Sequence, residues 1–148
     1  MGPLWIDEVD ARARIARADA PTFAKEVARD LTVDGVAVLR GAHARGLCEQ
    51  VIREYADYAA ANRDYVEANL DAAGHEKRLI NFHHVSPAAQ RIGTEPKVME
   101  ALDFVFGERT GIYTSLTFKY GTQQPTHRDS PHFVTWPRIA IASVIPSP

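Results

Sequence analysis

Apolar residues recur three and four positions apart over three stretches of this chain, the period of a helix with one buried face. The longest runs from about Ala44 to Leu70. There Leu47, Val51, Tyr55 and Tyr58 form a stripe, with Cys48, Ile52 and Ala59 beside it. A shorter helix is predicted after the Pro21-Thr22 break, burying Phe23, Val27 and Leu31. Another starts at Pro96, turns Val98, Leu102 and Val105 inward and closes at Gly107. Before these, Asp7 to Ala20 is charged and rich in Ala and Arg, which predicts a marginal, exposed helix with a solvated face.

Short apolar runs bounded by turn residues predict strands. Val36 to Leu39 lies between the Asp34-Gly35 turn and Arg40-Gly41, and Leu79 to Val85 is ended by Ser86-Pro87. Asp71 to Lys77 is polar and reads as a loop. From Gly111 the pattern changes. Ile112 to Tyr120 is rich in β-branched and aromatic residues and reads as a strand, followed by a turn over Gly121 to Pro125. Further extended pieces span Thr126 to Asp129 and Ile139 to Ile145. The expected fold class is α+β in a single domain, 1–148. Within it 1–20 is an exposed segment, 21–110 is mainly helical and 111–148 holds the first strands. Three late strands need partners, since a small open sheet is marginal and exposes its edges. The chain reaches Pro146-Ser147-Pro148 while that sheet is still being built, so it reads as a truncated piece.

Composition narrows the function classes. The 148 residues suit one globular domain, and a formal charge of −2 provides no broad cationic surface for nucleic acid or anionic membranes. The single cysteine, Cys48, excludes an internal disulfide framework and every multi-cysteine metal site; on its apolar stripe it reads as a small core residue. No apolar run approaches the roughly 20 residues needed to cross a bilayer, and the charged first twenty residues do not read as a secretory signal. A cytoplasmic location is therefore expected.

Several catalytic signatures are absent: no phosphate-cradling Gly-rich loop, no dinucleotide fingerprint, no nucleophile elbow. His75-Glu76 lacks the second histidine of a zinc-protease helix, because position 79 is Leu. His127-Arg128-Asp129 spells a protein-kinase triplet, but Val134 stands where the metal-binding Asn would fall. What remains is the run from Gly121 to Phe133. In an extended strand, residues two apart project to one face, about 6.5–7 Å apart along the chain. His127 and Asp129 then converge while Arg128 points away. One imidazole and one carboxylate on a common face are two-thirds of the facial triad that holds non-haem Fe(II) and leaves open positions for co-substrate and oxygen. The same spacing also fits a hydrogen-bonded His–Asp pair at a strand end.

The stretch from Leu116 to Asp129 resembles the phytanoyl-CoA dioxygenase family of Fe(II)/2-oxoglutarate oxygenases: Phe118-Lys119 leads through Gly121 into a Gln-Pro-x-His-x-Asp core at Gln124 to Asp129. The likeness continues through Ser130 to Phe133 and Trp136-Pro137 into Ile139 to Val144. Asp34 to Gly41 also looks like that family's entry segment. The resemblance implies N-terminal helices packed on a double-stranded β-helix, or jelly-roll, here incomplete. It implies Fe(II) held by His127 and Asp129 and 2-oxoglutarate as co-substrate, with O2 hydroxylating a small molecule. No residue of the chain matches the family's distal histidine or the arginine that grips 2-oxoglutarate, so the piece by itself is not expected to turn over. Neither the substrate's identity nor an oligomeric state follows from the resemblance.

Lys119 and Gln124 are candidate co-substrate contacts; a strand lysine reaching for solvent and a turn-stabilising amide are the plainer readings. His132 is a local candidate for a third ligand, set against a pocket-lining or surface role. His83 and His84, on a presumed strand, face opposite ways and read as structural or surface residues. Trp136 reads as a packing anchor or as a wall of the co-substrate site. The alternative to an oxygenase is a non-catalytic half-jelly-roll, a structural or interaction module whose strand edges a partner closes.

Overall fold

The computed structural model describes residues 4–70, 74–76 and 78–121. A 3-10 turn, Trp5–Asp7, precedes α1 (Ala11–Arg17), α2 (Thr22–Asp34), α3 (Arg45–Ala61) and α4 (Arg63–Glu67). Strand β1 (Leu79–Ile80) leads into a second 3-10 turn, Phe82–His84, then α5 (Pro87–Gly93), α6 (Pro96–Phe106) and β2 (Leu116–Thr117). The two strands pair antiparallel, Leu79 opposite Thr117 and Ile80 opposite Leu116. The described chain is thus a mixture of helix with a small antiparallel sheet.

Packing divides these elements into two groups. In the first, the N-terminal turn, α1, α2 and α6 pack together around Ile6, Ile15, Ala28 and Val105, with Trp5, Val27, Leu31, Phe104 and Phe106 at the margin. In the second, α3, α5 and the Phe82–His84 turn enclose Tyr55, Leu79 and Phe82, with Val51, Tyr58 and Ala89 against them. The stripes on α2, α3 and α6 follow the predicted period, with shifts on α2 and α6: on α6 Ala101 is buried beside Val105, while Val98 and Leu102 are half-buried. Ala24 and Ala28 take the deepest places on α2 and let it approach its neighbours closely, while Val27 and Leu31 pack at the edge.

Several elements differ from the sequence expectation, each for a local reason. The N-terminal segment is not merely an exposed face: α1 is polar on one side but buries Ala11 and Ile15 against the first core. Val36 to Leu39 forms no strand. It leaves α2 through Gly35, whose left-handed φ of 71° ends the helix, and Val36 and Val38 stand 62% and 66% exposed. The helix expected through residue 70 breaks at Asn62. That residue leaves helical geometry (φ −121°, ψ 41°), and its backbone N–H and side-chain amide both donate to Tyr58 O, at 2.9 and 2.8 Å.

The strand expected over Leu79 to Val85 stops after two residues because Asn81 adopts a left-handed φ of 56° and turns the chain into the 3-10 turn. Ser86-Pro87 does more than end a strand. Ser86 caps α5, its Oγ accepting from Ala89 N at 3.0 Å, and Pro87 occupies the first helical position. Of Ile112 to Tyr120, only Leu116–Thr117 pairs among the described residues. The strands expected at 126–129 and 139–145, and with them a jelly-roll, lie outside the described residues.

Candidate functional site

The described residue that the sequence nominates for binding is Lys119, two positions beyond β2. Its ammonium donates to Glu76 Oε1 at 3.1 Å. The other oxygen of that carboxylate, Oε2, accepts from the Tyr55 hydroxyl at 3.0 Å. Three segments far apart in the sequence therefore meet at one carboxylate. Tyr55 is delivered by α3, where its ring packs edge-to-face on Phe82 at 5.7 Å between centroids. Glu76 is brought back to the end of the helical segment by an isolated antiparallel bridge to Leu70. Lys119 follows from the β1–β2 register. Tyr120 lies alongside, its ring centroid 5.2 Å from the Lys119 Nζ, and the His75 ring stacks on Tyr120 at 4.8 Å.

The electrostatics follow from this geometry. Burial, then the Glu76 carboxylate as hydrogen-bond partner and as charge, push the Tyr55 hydroxyl far above its ordinary value, so it donates and does not ionise. The hydrogen bond to Glu76 raises Lys119 above the usual lysine value, against a smaller opposing effect of desolvation. The side chain of Lys119 is 45% exposed and that of Glu76 only 20%. The acid is the fixed member of the pair; the ammonium is the one that meets solvent.

A second polar cluster joins the turn after β1 to the residues just before β2. His83 is buried and its Nδ1 lies 2.6 Å from Ser115 Oγ, while His84 is exposed, its ring 4.2 Å from that of His83. Burial lowers the pKa of His83 and the neighbouring His84 lowers it further, favouring neutral imidazole. Asn81 fixes the partner segment. Its N–H donates to Ser115 O at 2.8 Å, and its Oδ1 accepts from Thr114 Oγ1 at 2.8 Å and Ser115 N at 3.2 Å. His83 is thus a buried, bonded histidine on a turn, and neither histidine is presented from a strand face.

Gln124, His127, Asp129, His132 and Trp136 lie outside the described residues. Among the described residues no three His, Cys, Asp or Glu side chains gather closely enough to hold a metal ion, and no helix is long and apolar enough to cross a membrane. Sequence reasoning missed Tyr55 and Glu76 as functional-site neighbours. Tyr55 reads as one more member of an apolar stripe and Glu76 as part of a polar loop. Nothing local in the sequence reports a contact between residues 43 positions apart. No protein-family model matches the chain, and no curated protein or solved structure matches it either.

Proposed function

We propose that this chain is the N-terminal portion of a non-haem Fe(II)/2-oxoglutarate-dependent dioxygenase of the phytanoyl-CoA dioxygenase type, a hydroxylase. The observation that carries the reading is the His127-x-Asp129 pair inside Gln124 to Asp129. What supports it is the approach to that pair: an antiparallel strand, β2, followed by Lys119 and then Gly121 in a left-handed turn conformation (φ 76°). The donor set suits the metal. A neutral imidazole and a carboxylate are the borderline and hard ligands that Fe(II) takes in facial sites. Bound iron would supply oxygen activation coupled to oxidative decarboxylation: 2-oxoglutarate, O2 and R–H give succinate, CO2 and R–OH. His127 and Asp129 would hold the metal, and Lys119 and Gln124 would orient the co-substrate's carboxylates.

The chain offers two of the three protein ligands, so the test reads metal binding and not turnover. Anaerobic titration with Fe(II) is expected to show one saturable site that His127→Ala and Asp129→Ala each abolish. Binding left intact by both substitutions overturns the assignment. Loss in His132→Ala as well would make His132 the third donor. A second reading, a non-catalytic interaction module, is favoured by one feature: Ile80 and Leu116 oppose each other across the sheet and are 59% and 46% exposed. Absence of any Fe(II) site in the unaltered chain would select it.

A further inference from the structure

Helices α1 and α2 pack together and leave a cavity of about 340 Å³ lined by Arg12, Ile15, Ala16, Arg29 and Val33. Helical spacing puts these residues there. Arg12 stands three and four positions before Ile15 and Ala16 on α1, and Arg29 four before Val33 on α2, so each set shares one face. Ile15, only 2% exposed, is the floor, and Val33, 54% exposed, is an apolar wall. The arginines supply the charge. Among the described residues neither the Arg12 nor the Arg29 guanidinium has an ion pair or a hydrogen bond, whereas Arg14 pairs with Glu8 at 2.6 Å and Arg45 with Glu49 at 3.0 Å. Even Glu26, one turn before Arg29 on α2, does not engage it. An apolar floor is thus combined with two cations that stay ionised at every accessible pH and are not neutralised by a described partner.

We infer that this cavity binds a compact amphiphilic anion, an aryl carboxylate, with its ring on Ile15, Ala16 and Val33 and its head held by Arg12 and Arg29. The volume stands at the small end of ligand sites, about 300–1,000 Å³, which suits one ring with a short substituent and not a long chain. Guanidinium groups favour the ring as well as the head: they pair with a carboxylate through two parallel bonds and lie on aromatic faces. The chain already uses the second kind of contact, with Arg14 over the Trp5 ring at 5.2 Å. The aliphatic stems of both arginines extend the apolar lining. A bare inorganic anion would leave Ile15 and Val33 uncovered, and a hydrocarbon would leave both cations unmatched, so the two properties belong in one molecule. The cavity belongs to the first packing group, whereas Lys119 bonds at the Tyr55–Glu76 junction beside the second. Its occupancy therefore does not depend on the dioxygenase reading.

The test titrates the full chain with 4-isopropylbenzoate and follows the Ile15 and Val33 methyl groups by 13C NMR. Both are expected to shift along one saturable isotherm that weakens as salt is raised. Arg12→Gln and Arg29→Gln are each expected to weaken binding about two- to fivefold, the weight of one exposed ion pair, and the double variant more than either. Ala16→Leu, which fills the groove and keeps both cations, is expected to abolish the isotherm. Two analogues repeat the test on the unaltered protein, where folding is not in question. 4-Isopropylbenzamide, with a neutral head, is expected to bind more weakly than the acid by the factor the double variant shows, and acetate, with no ring, to leave both methyl groups unmoved. The inference is overturned if the amide binds as tightly as the acid, if acetate reproduces the shifts, if the isotherm ignores both arginines or the leucine, or if no saturable shift occurs. Shifts seen with phosphatidylglycerol vesicles and not with the free acid would overturn it in favour of a membrane surface. The Fe(II) titration reads the dioxygenase proposal separately, so either can fail while the other stands.

Discussion

Ser86 shows how much one small side chain can organise. It is 1% exposed, accepts from Ala89 N as the cap of α5, and donates to Glu54 Oε2 at 2.5 Å. Glu54 Oε2 also accepts from Ala88 N at 3.1 Å, so a carboxylate from α3 lies against the amino end of α5, where the helix dipole favours negative charge. The Ser86 hydroxyl is the largest influence lowering the Glu54 pKa below its ordinary 4.5. A carboxyl depressed in the fold contributes stability that is full above about 4.5 and drains away as pH falls through its folded value. Asp103, bonded to Thr110 N and Oγ1 at 2.6 and 2.7 Å, is lowered in the same direction. Ser86→Ala is expected to cost about 1–2 kcal/mol at pH 7 and to shrink the loss of stability between pH 5 and pH 3. Urea unfolding across that range checks both; an unchanged acid limb would mean that Glu54 is held without Ser86, by Ala88 N and by the Gln50 side-chain amide, which donates to Glu54 Oε1 at 2.8 Å.

At the scale of elements, Asn81 decides where β1 ends. A left-handed conformation is cheap for Gly, tolerable for Asn and costly for most others. Asn81 combines it with two side-chain bonds to the 114–115 segment. Two substitutions separate these contributions. Asn81→Gly keeps the backbone and loses the bonds; Asn81→Ala loses both, and is expected to be the less stable of the two by about 1 kcal/mol in urea unfolding. The stripes on α2, α3 and α6 were legible in the sequence because a 3.6-residue period repeats over enough turns to stand out. The breaks at Asn62 and Asn81 were not, because each turns on one side chain bonding to backbone or side-chain groups that periodicity does not register. Val36 to Leu39 misleads for the opposite reason: four apolar residues suggest a buried strand, but burial needs a partner that the run itself does not specify. Of the candidate site, the His-x-Asp pair is an expectation from the sequence motif that lies outside the described residues, whereas the Tyr55–Glu76–Lys119 junction exists only through folding.

At the scale of the whole molecule, two apolar clusters take the place of one continuous core among the described residues, and the described helix pairs that pack extensively stay within one group or the other. Clusters that share few contacts open separately. Phe82→Ala, which empties a 2%-exposed aromatic site against Tyr55 and Tyr58, is expected to destabilise the second group by about 3–5 kcal/mol. Amide hydrogen exchange should then quicken in α3 and α5 while α2 and α6 keep their protection. Uniform acceleration would show that the two clusters unfold as one.

The glycines at positions 35 and 107 acquire a shared meaning from this division. Both end helices of the first group with left-handed backbone, φ 71° and 70°, and both stand where the chain departs toward the other half. Neither helix can grow through its glycine without surrendering that handedness. Two of the three crossings between the halves, those after α2 and α6, are therefore marked by main-chain handedness, while the third, from α5 to α6, runs through Thr94 and Glu95 at ordinary negative φ; a bulkier residue at either glycine would strain the exit from its helix before it reached either interior.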